Sequence, residues 1–105
     1  MMLPLTEVTF FILLSLTPDA RHGYAIMQDI LELSNQRVKL STGTLYTALK
    51  RLLDDGWIEQ VEDAPASRGK KTYRLTATGR SILQEETERL ATLTLLAQRR
   101  MANSS

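Results

Sequence analysis

Residues 41–62 decide the fold of this chain, and they read STGTLYTALKRLLDDGWIEQVE. Leucines recur at positions 45, 49, 52 and 53, which is the spacing of one face of an α-helix. Ser41 and Thr42 suit the start of that helix because their hydroxyl groups accept hydrogen bonds from free backbone amides. Gly56 suits its end, since glycine readily adopts the left-handed conformation that terminates many helices. The segment therefore predicts a helix that leads directly into a strand.

A β-hairpin is predicted after this helix. Residues 57–62 and 71–75 alternate apolar with polar side chains and contain many strand-forming residues. The stretch 63–70 between them contains the proline, serine and glycine residues of a turn. Its tip is basic, through Arg68, Lys70 and the adjacent Lys71.

Two helices are predicted before residue 41. The first, over residues 6–16, begins at a threonine and is apolar nearly all round, so more than one side of it should be covered. The second, over residues 23–33, has an apolar stripe on one face. The alternation in residues 38–40 predicts a short strand between the second and third helices.

A long helix is predicted at the end of the chain, over residues 77–100, with apolar side chains at roughly heptad spacing. At 1.5 Å per residue it would extend about 36 Å, which is more than a domain of this size can cover. The first and last helices therefore predict a homodimer. We divide the chain into a winged helix-turn-helix domain, residues 1–79, and a dimerisation helix with a frayed tail, residues 80–105. The expected fold class is mainly α with a small β-hairpin wing (α+β).

Charge is segregated along the chain although the net charge is only +1. No acidic residue lies in 33–53 or in 64–84, and these two windows hold most of the 13 basic residues. Such segregation makes a basic surface on a nearly neutral molecule, to which a phosphate backbone responds. The alternative is two solvated faces whose charges cluster by chance.

The composition argues against several classes of protein. With no cysteine, the chain has no disulfide or thiolate metal site, which fits a cytoplasmic protein. The apolar run 10–16 is too short to cross a bilayer, which takes roughly 20 residues, so no membrane partner is expected. His22 is the sole histidine, and no partner at catalytic or metal-binding spacing accompanies it. We therefore expect neither an enzyme nor a cofactor, and expect His22 to shape the entry of the second helix.

The polar face of the third helix is the candidate site. Three helices followed by a hairpin form the winged helix-turn-helix order, in which the third helix enters the major groove and the hairpin touches the flanking backbone. Hydroxyl and basic groups suit that role because they contact phosphates and base edges. The candidate residues are Ser41, Thr42, Thr44, Tyr46, Thr47, Lys50 and Arg51, with Arg68, Lys70 and Lys71 on the wing.

A solvated amphipathic helix would show the same polar face, but the basic hairpin at the right distance downstream favours DNA. Tyr24 and Tyr46 either donate to phosphates or pack at the surface, whereas Tyr73 should pack against the core. A winged helix that contacts only other proteins is the rival interpretation. Retention on heparin at low salt that disappears as salt rises would favour DNA over that rival.

The sequence resembles the PadR-type transcriptional regulators across residues 5–79. The resemblance rests on four stretches in order, which are His22 to Ile26, Ser41 to Leu52, Asp55 to Glu59 and Arg68 to Gly79. One departure is Thr47, where the family usually has proline. The resemblance implies a homodimer that represses genes by binding a palindromic operator. It also implies that a small molecule often relieves this repression.

Three aromatic residues are candidates for an effector pocket, namely Phe10, Phe11 and Trp57. The phenylalanines either line a pocket at the dimer interface or simply pack there. Trp57 either stacks on a ligand or fills the core where the hairpin begins.

The basic wing predicts a salt-dependent contact with DNA. Replacing Arg68, Lys70 and Lys71 together with alanine should weaken binding to every sequence by similar factors, because phosphates carry no sequence information. The slope of log affinity against log salt should flatten by roughly one unit for each phosphate that the protein no longer neutralises. An unchanged slope would show that the wing does not lie on the DNA.

Overall fold

The computed structural model describes residues 3–61 and 71–104. In chain order the elements are α1 (Glu7–Ser15), β1 (Arg21–His22), α2 (Gly23–Leu33), α3 (Thr42–Asp54), β2 (Ile58–Val61), β3 (Thr72–Leu75) and α4 (Ala77–Ala102). The four predicted helices and the two hairpin strands are confirmed, as is the α+β fold class. Of the predicted wing tip, Arg68 and Lys70 lie outside the described residues, and the exposed Lys71 directly precedes β3.

Hydroxyl caps set where α1, α3 and α4 begin. The Oγ1 atom of Thr6 accepts from the Thr9 amide at 3.1 Å, and Ser41 Oγ accepts from the Thr44 amide at the same distance. Thr76 does the same for α4. Each of these bonds satisfies an amide that has no partner within its own helix, so the caps predicted at Thr6 and at Ser41 are confirmed.

The described strands form one antiparallel sheet in the order β1-β3-β2. Ile58 of β2 lies opposite Leu75 of β3, and Arg21 of β1 lies opposite Tyr73 on the other edge of β3. The strand predicted at residues 38–40 is wrong, because these residues pair with none of the described strands. Val38 and Leu40 pack instead, half-buried, against the core.

The core forms where the apolar stripes of α1, α2 and α3 meet the sheet. Ile12, Ile26 and Leu45 are fully buried there, one from each helix. Trp57, only 4% exposed, closes the core just before β2. The prediction that Tyr73 packs against the core is confirmed, since it is buried in the same cluster.

The last helix extends beyond this core. Its 26 residues span about 39 Å, and its buried residues all lie in the first half, at Gly79, Leu83 and Glu86. Every described residue from 90 onward is exposed, including several large apolar side chains, which are Leu90, Leu93, Leu95, Leu96 and Met101. Within residues 3–61 and 71–104, no helix is both long enough and apolar enough to span a membrane.

Glu86 ties α4 to the segment that precedes α1. Its side chain is 2% exposed, and Oε2 accepts from the Leu5 amide at 2.9 Å. Arg89 donates to both carboxylate oxygens, from Nε at 2.6 Å and from Nη2 at 3.0 Å. The hydrogen bonds from Arg89, and then the one from Leu5, hold the pKa of the Glu86 carboxyl below its usual range despite desolvation. Both oxygens of the buried Glu86 carboxylate thus accept hydrogen bonds where α4 meets the segment before α1.

The lowered pKa of Glu86 predicts a pH-dependent contribution to stability. It is present above the unfolded-state pKa of about 4.3 and is lost as the pH falls through the lower folded-state pKa. Glu86→Gln should therefore lower the melting temperature at pH 7. It should also reduce the further loss of melting temperature between pH 5 and pH 2.

Glu7→Gln is the matched control, because Glu7 pairs with Arg37 at 3.0 Å on the exposed surface. Exposed pairs contribute little to stability, so this variant should follow the wild type closely. Equal pH profiles for wild type and Glu86→Gln would show that the buried carboxylate does not stabilise the joint.

Candidate nucleic-acid interface

The exposed face of α3 is centred on Gly43, Thr47 and Lys50. These residues follow one another at spacings of four and three, so they lie along one line of the helix. All three are exposed, whereas Leu45 and Leu49 on the opposite side are buried. The polar face predicted from the sequence therefore faces outward.

Arg51 and Thr44 border this face on the side of α1. The Arg51 Nη2 atom donates to Thr9 Oγ1 at 3.3 Å, and Thr9 also accepts from Thr6 Oγ1 at 2.9 Å. Arg51 is thereby tethered to the start of α1 while most of its side chain stays exposed. Sequence reasoning missed Thr9, although a threonine within an otherwise apolar helix was the available signal.

Tyr46 borders the face on the side of α2. Its hydroxyl lies against Gly23, the first residue of α2, so closely that any side chain at position 23 would collide with it. Tyr46 is 44% exposed and Tyr24, next to Gly23, is 68% exposed. Two tyrosines are thus presented beside the N-terminus of α2.

The hydroxyl groups on α3 do not all have the same surroundings. Ser41 Oγ accepts from the Thr44 amide and donates to Thr44 Oγ1 at 3.0 Å, so these two side chains form the helix cap. Thr42 and Thr47 are exposed, and no described residue bonds to the Thr47 hydroxyl in this structure. The Thr47 hydroxyl can therefore be removed without breaking a hydrogen bond that caps the helix.

Several basic residues of the acid-free windows are paired with carboxylates. Arg37 bonds to Glu7, and Arg74 Nη2 lies 3.3 Å from Glu59 Oε2. Lys50 Nζ lies 3.4 Å from Asp54 Oδ2 one turn along, but both side chains are highly exposed. Such a pair contributes little, so Lys50 can readily exchange Asp54 for a phosphate. The basic surface is therefore smaller than the sequence windows indicate.

His22 occupies the N-cap position of α2. Its Nδ1 atom and Thr72 Oγ1 share a hydrogen bond of 2.9 Å, which connects α2 to β3. The histidine thus lies at the entry of α2, as predicted, and fixes that entry to the sheet.

The structure separates the three aromatic residues of the predicted effector pocket. Phe10 and Phe11 line a groove of about 320 Å³, together with Leu5, Glu86 and Leu90. Their rings meet edge to face, with centroids 6.4 Å apart. Trp57 is not part of this groove, because it is buried in the core at the start of the hairpin.

Comparison with known proteins assigns this chain to a family. The family described as "Transcriptional regulator PadR-like family" matches residues 12–85, which include α2, α3 and the hairpin. This chain belongs to the PadR-like family of transcriptional regulators. The resemblance noted in the sequence is thereby confirmed, and the matched family is one of regulators and not of enzymes.

Individual relatives agree with this assignment. The PadR-like chain is 36% identical over 72 residues to "Transcriptional regulator Rv3488" of Mycobacterium tuberculosis (strain ATCC 25618 / H37Rv). That match spans 69% of this chain but only 64% of the relative.

Solved structures share the fold. A PadR family transcription regulator from Clostridium difficile R20291 superposes with a TM-score of 0.77 at 22% identity, covering 91% of this chain and 99% of that one. A PadR-like transcription factor from Bacteroides fragilis gives 0.74 at 26% identity, covering 88% and 87%.

The exposed face of α3 predicts that Thr47 and Lys50 contribute differently to DNA binding. Thr47→Ala should relax base preference, with less than the roughly 1–3 kcal/mol of discrimination that a bidentate contact provides. Lys50→Ala should lower affinity for specific and random DNA alike, because it removes a charge and no base contact. Competition among all single-base variants of a selected site, at fixed salt, measures both effects. A uniform loss with Thr47→Ala would show that α3 positions the protein without reading bases.

Proposed function

We propose that this PadR-like regulator binds duplex DNA by placing α3 in the major groove. The observation that carries the proposal is the face of α3 centred on Thr47 and Lys50, which is exposed, rich in hydroxyl groups and free of acid until Asp54. Side chains of this kind bind phosphates and base edges. The leucine side of the same helix is buried, so the polar face is the part of α3 that a partner can contact.

Contacts to the DNA backbone are proposed on both sides of α3. Tyr24 and Tyr46 lie beside the N-terminus of α2, where free amides and the helix dipole favour a phosphate. Lys71, with Arg68 and Lys70 on the predicted wing, is proposed to contact the adjacent backbone or minor groove. Together these contacts would fix the register of α3 along the groove.

The regulator is further proposed to act as a homodimer. Phe10, Phe11 and Leu14 of α1 are only half-buried, and Leu90 and Leu93 on one side of α4 are exposed, so this apolar surface is uncovered. A second copy that covers this surface would present two α3 helices. If these lie about 34 Å apart, the operator is an inverted repeat with half-sites one helical turn apart. Residues 1–79 would then bind DNA and residues 80–105 would join the subunits.

Repression and its relief by a small molecule complete the proposal. A dimer on its operator would occlude the promoter and repress transcription. The groove beside Phe10 and Phe11 adjoins the uncovered surface of α4, so a ligand there would alter how the two subunits pack. Its volume suits a small ligand. Displacement of labelled operator by candidate compounds is the direct test.

Selection from random duplex DNA tests the central proposal. Recovered fragments should share an inverted repeat, and their affinity should fall as salt rises. Failure to enrich any sequence, together with no retention on heparin at low salt, would overturn it. That result would favour a winged helix that contacts only proteins.

The apolar surface of α4 predicts which leucine holds the dimer together. Leu93 and Leu95 are similarly exposed, but only Leu93 continues the line of Leu83, Glu86 and Leu90 that faces α1. Leu93→Asp should therefore convert the protein from dimer to monomer at micromolar concentration in sedimentation, because it places a charge in the interface. Leu95→Asp is the matched control and should remain dimeric. A wild-type monomer, or a dimer unaffected by Leu93→Asp, would contradict this arrangement.

A further inference from the structure

Three of the described glycines have close contacts or a backbone conformation within the protein that disfavour a side chain. Gly23 leaves room for the Tyr46 hydroxyl, and Gly79 packs so closely on the Trp57 carbonyl that a Cβ atom would collide with it. Gly56 has a φ of +74°, in the left-handed region that side chains disfavour. In each case the fold itself explains why no side chain is present.

Gly43 differs from these glycines. It lies in the first turn of α3 without a positive φ, and a Cβ atom added to it would meet no atom outside the adjoining turns of its own helix within 4 Å. Glycine is unfavourable in helices, since it loses more backbone freedom on folding than alanine. The fold therefore gives no reason for glycine at this position.

The position of Gly43 indicates that the glycine serves contact with a binding partner and not the fold. It begins the exposed line of α3 that continues through Thr47 and Lys50. It also borders a groove of about 460 Å³ between α3 and the start of α1, whose lining includes Thr6, Thr47 and Arg51. The missing side chain thus leaves bare backbone at the start of the face that we assign to DNA.

We propose that Gly43 is the point of closest approach between α3 and the duplex. Without a Cβ atom, the backbone of α3 can come into van der Waals contact with the DNA, as glycines allow where a chain lies against a ligand. A methyl group there would push the first turn outward and lengthen the contacts of Thr47 and Lys50. This inference rests on the proposed DNA-binding function and adds a residue that sets the depth of insertion.

The test measures folding and binding separately in Gly43→Ala. Alanine should leave the melting temperature unchanged or raise it, because it favours the helix and restricts the unfolded chain. Affinity for a selected operator should nevertheless fall by about tenfold or more, since a displacement of about 1 Å weakens several contacts together.

Two further variants serve as controls for Gly43→Ala. Thr78→Ala changes the second residue of α4, as Gly43→Ala changes the second residue of α3, so it should raise helix stability and leave operator affinity within about twofold. Gly79→Ala should lower the melting temperature, because its methyl group meets the Trp57 carbonyl. Gly79→Ala therefore gives the loss of melting temperature expected when the fold itself requires a glycine.

The outcomes separate this inference from the function on which it rests. Wild-type protein that binds no duplex DNA overturns the proposed function itself. Wild-type protein that binds while Gly43→Ala binds within twofold of it overturns only the close approach. A lowered melting temperature for Gly43→Ala also overturns it, because the fold would then require the glycine.

Discussion

Burial of the leucine side of α3 is the interaction on which the rest of the molecule depends. Leu45, Leu49 and Leu52 are at most 1% exposed, and burying each leucine side chain contributes about 1.5–3 kcal/mol. Turning the helix by one residue, or 100°, would place Tyr46 and Lys50 in the core and expose leucines. Burial of an unpaired lysine is costly, so the rotation of α3 is strongly fixed. The direction of Thr47 and of the whole polar face follows from this packing.

The two borders of that face are held by different elements, and this relates the proposed DNA surface to the proposed dimer surface. Tyr46 rests on Gly23 at the start of α2, while Arg51 bonds to Thr9 of α1. The same α1 helix carries Phe10 and Phe11 on the uncovered side, and Glu86 of α4 bonds to the segment just before it. α1 therefore lies between α3 and the apolar surface of α4. A change in subunit packing at α1 would reach the border of α3 through the hydrogen bond between Thr9 and Arg51 and through the shared core.

Local patterns in the sequence predicted the helices, whereas contacts between distant segments were the features that it missed. Apolar patterns placed all four helices, and hydroxyl caps marked the starts of α1 and α3, because both signals are local in the sequence. β1 is only two residues long and forms by pairing with Tyr73, about fifty residues away, so no local alternation reveals it. Similarly, Arg37 and Arg74 counted as free basic residues until the fold brought Glu7 and Glu59 beside them. The position of Trp57 at the start of the hairpin favoured the core over a ligand pocket, and its burial confirms the core position.

The chemistry of the α3 face explains why a dimer matters for recognition as well as for stability. Threonine hydroxyls rotate, donate and accept, so each discriminates among bases by less than a bidentate arginine or asparagine contact does. One copy of α3 would therefore select its site weakly, and with a net charge of only +1 the chain gains little from long-range attraction to DNA. When two copies bind one inverted repeat, the free energies of discrimination add, and the specificity ratio of one half-site is squared. An uncovered apolar surface on α1 and α4 is thus the feature that would let a weakly discriminating helix recognise a defined operator.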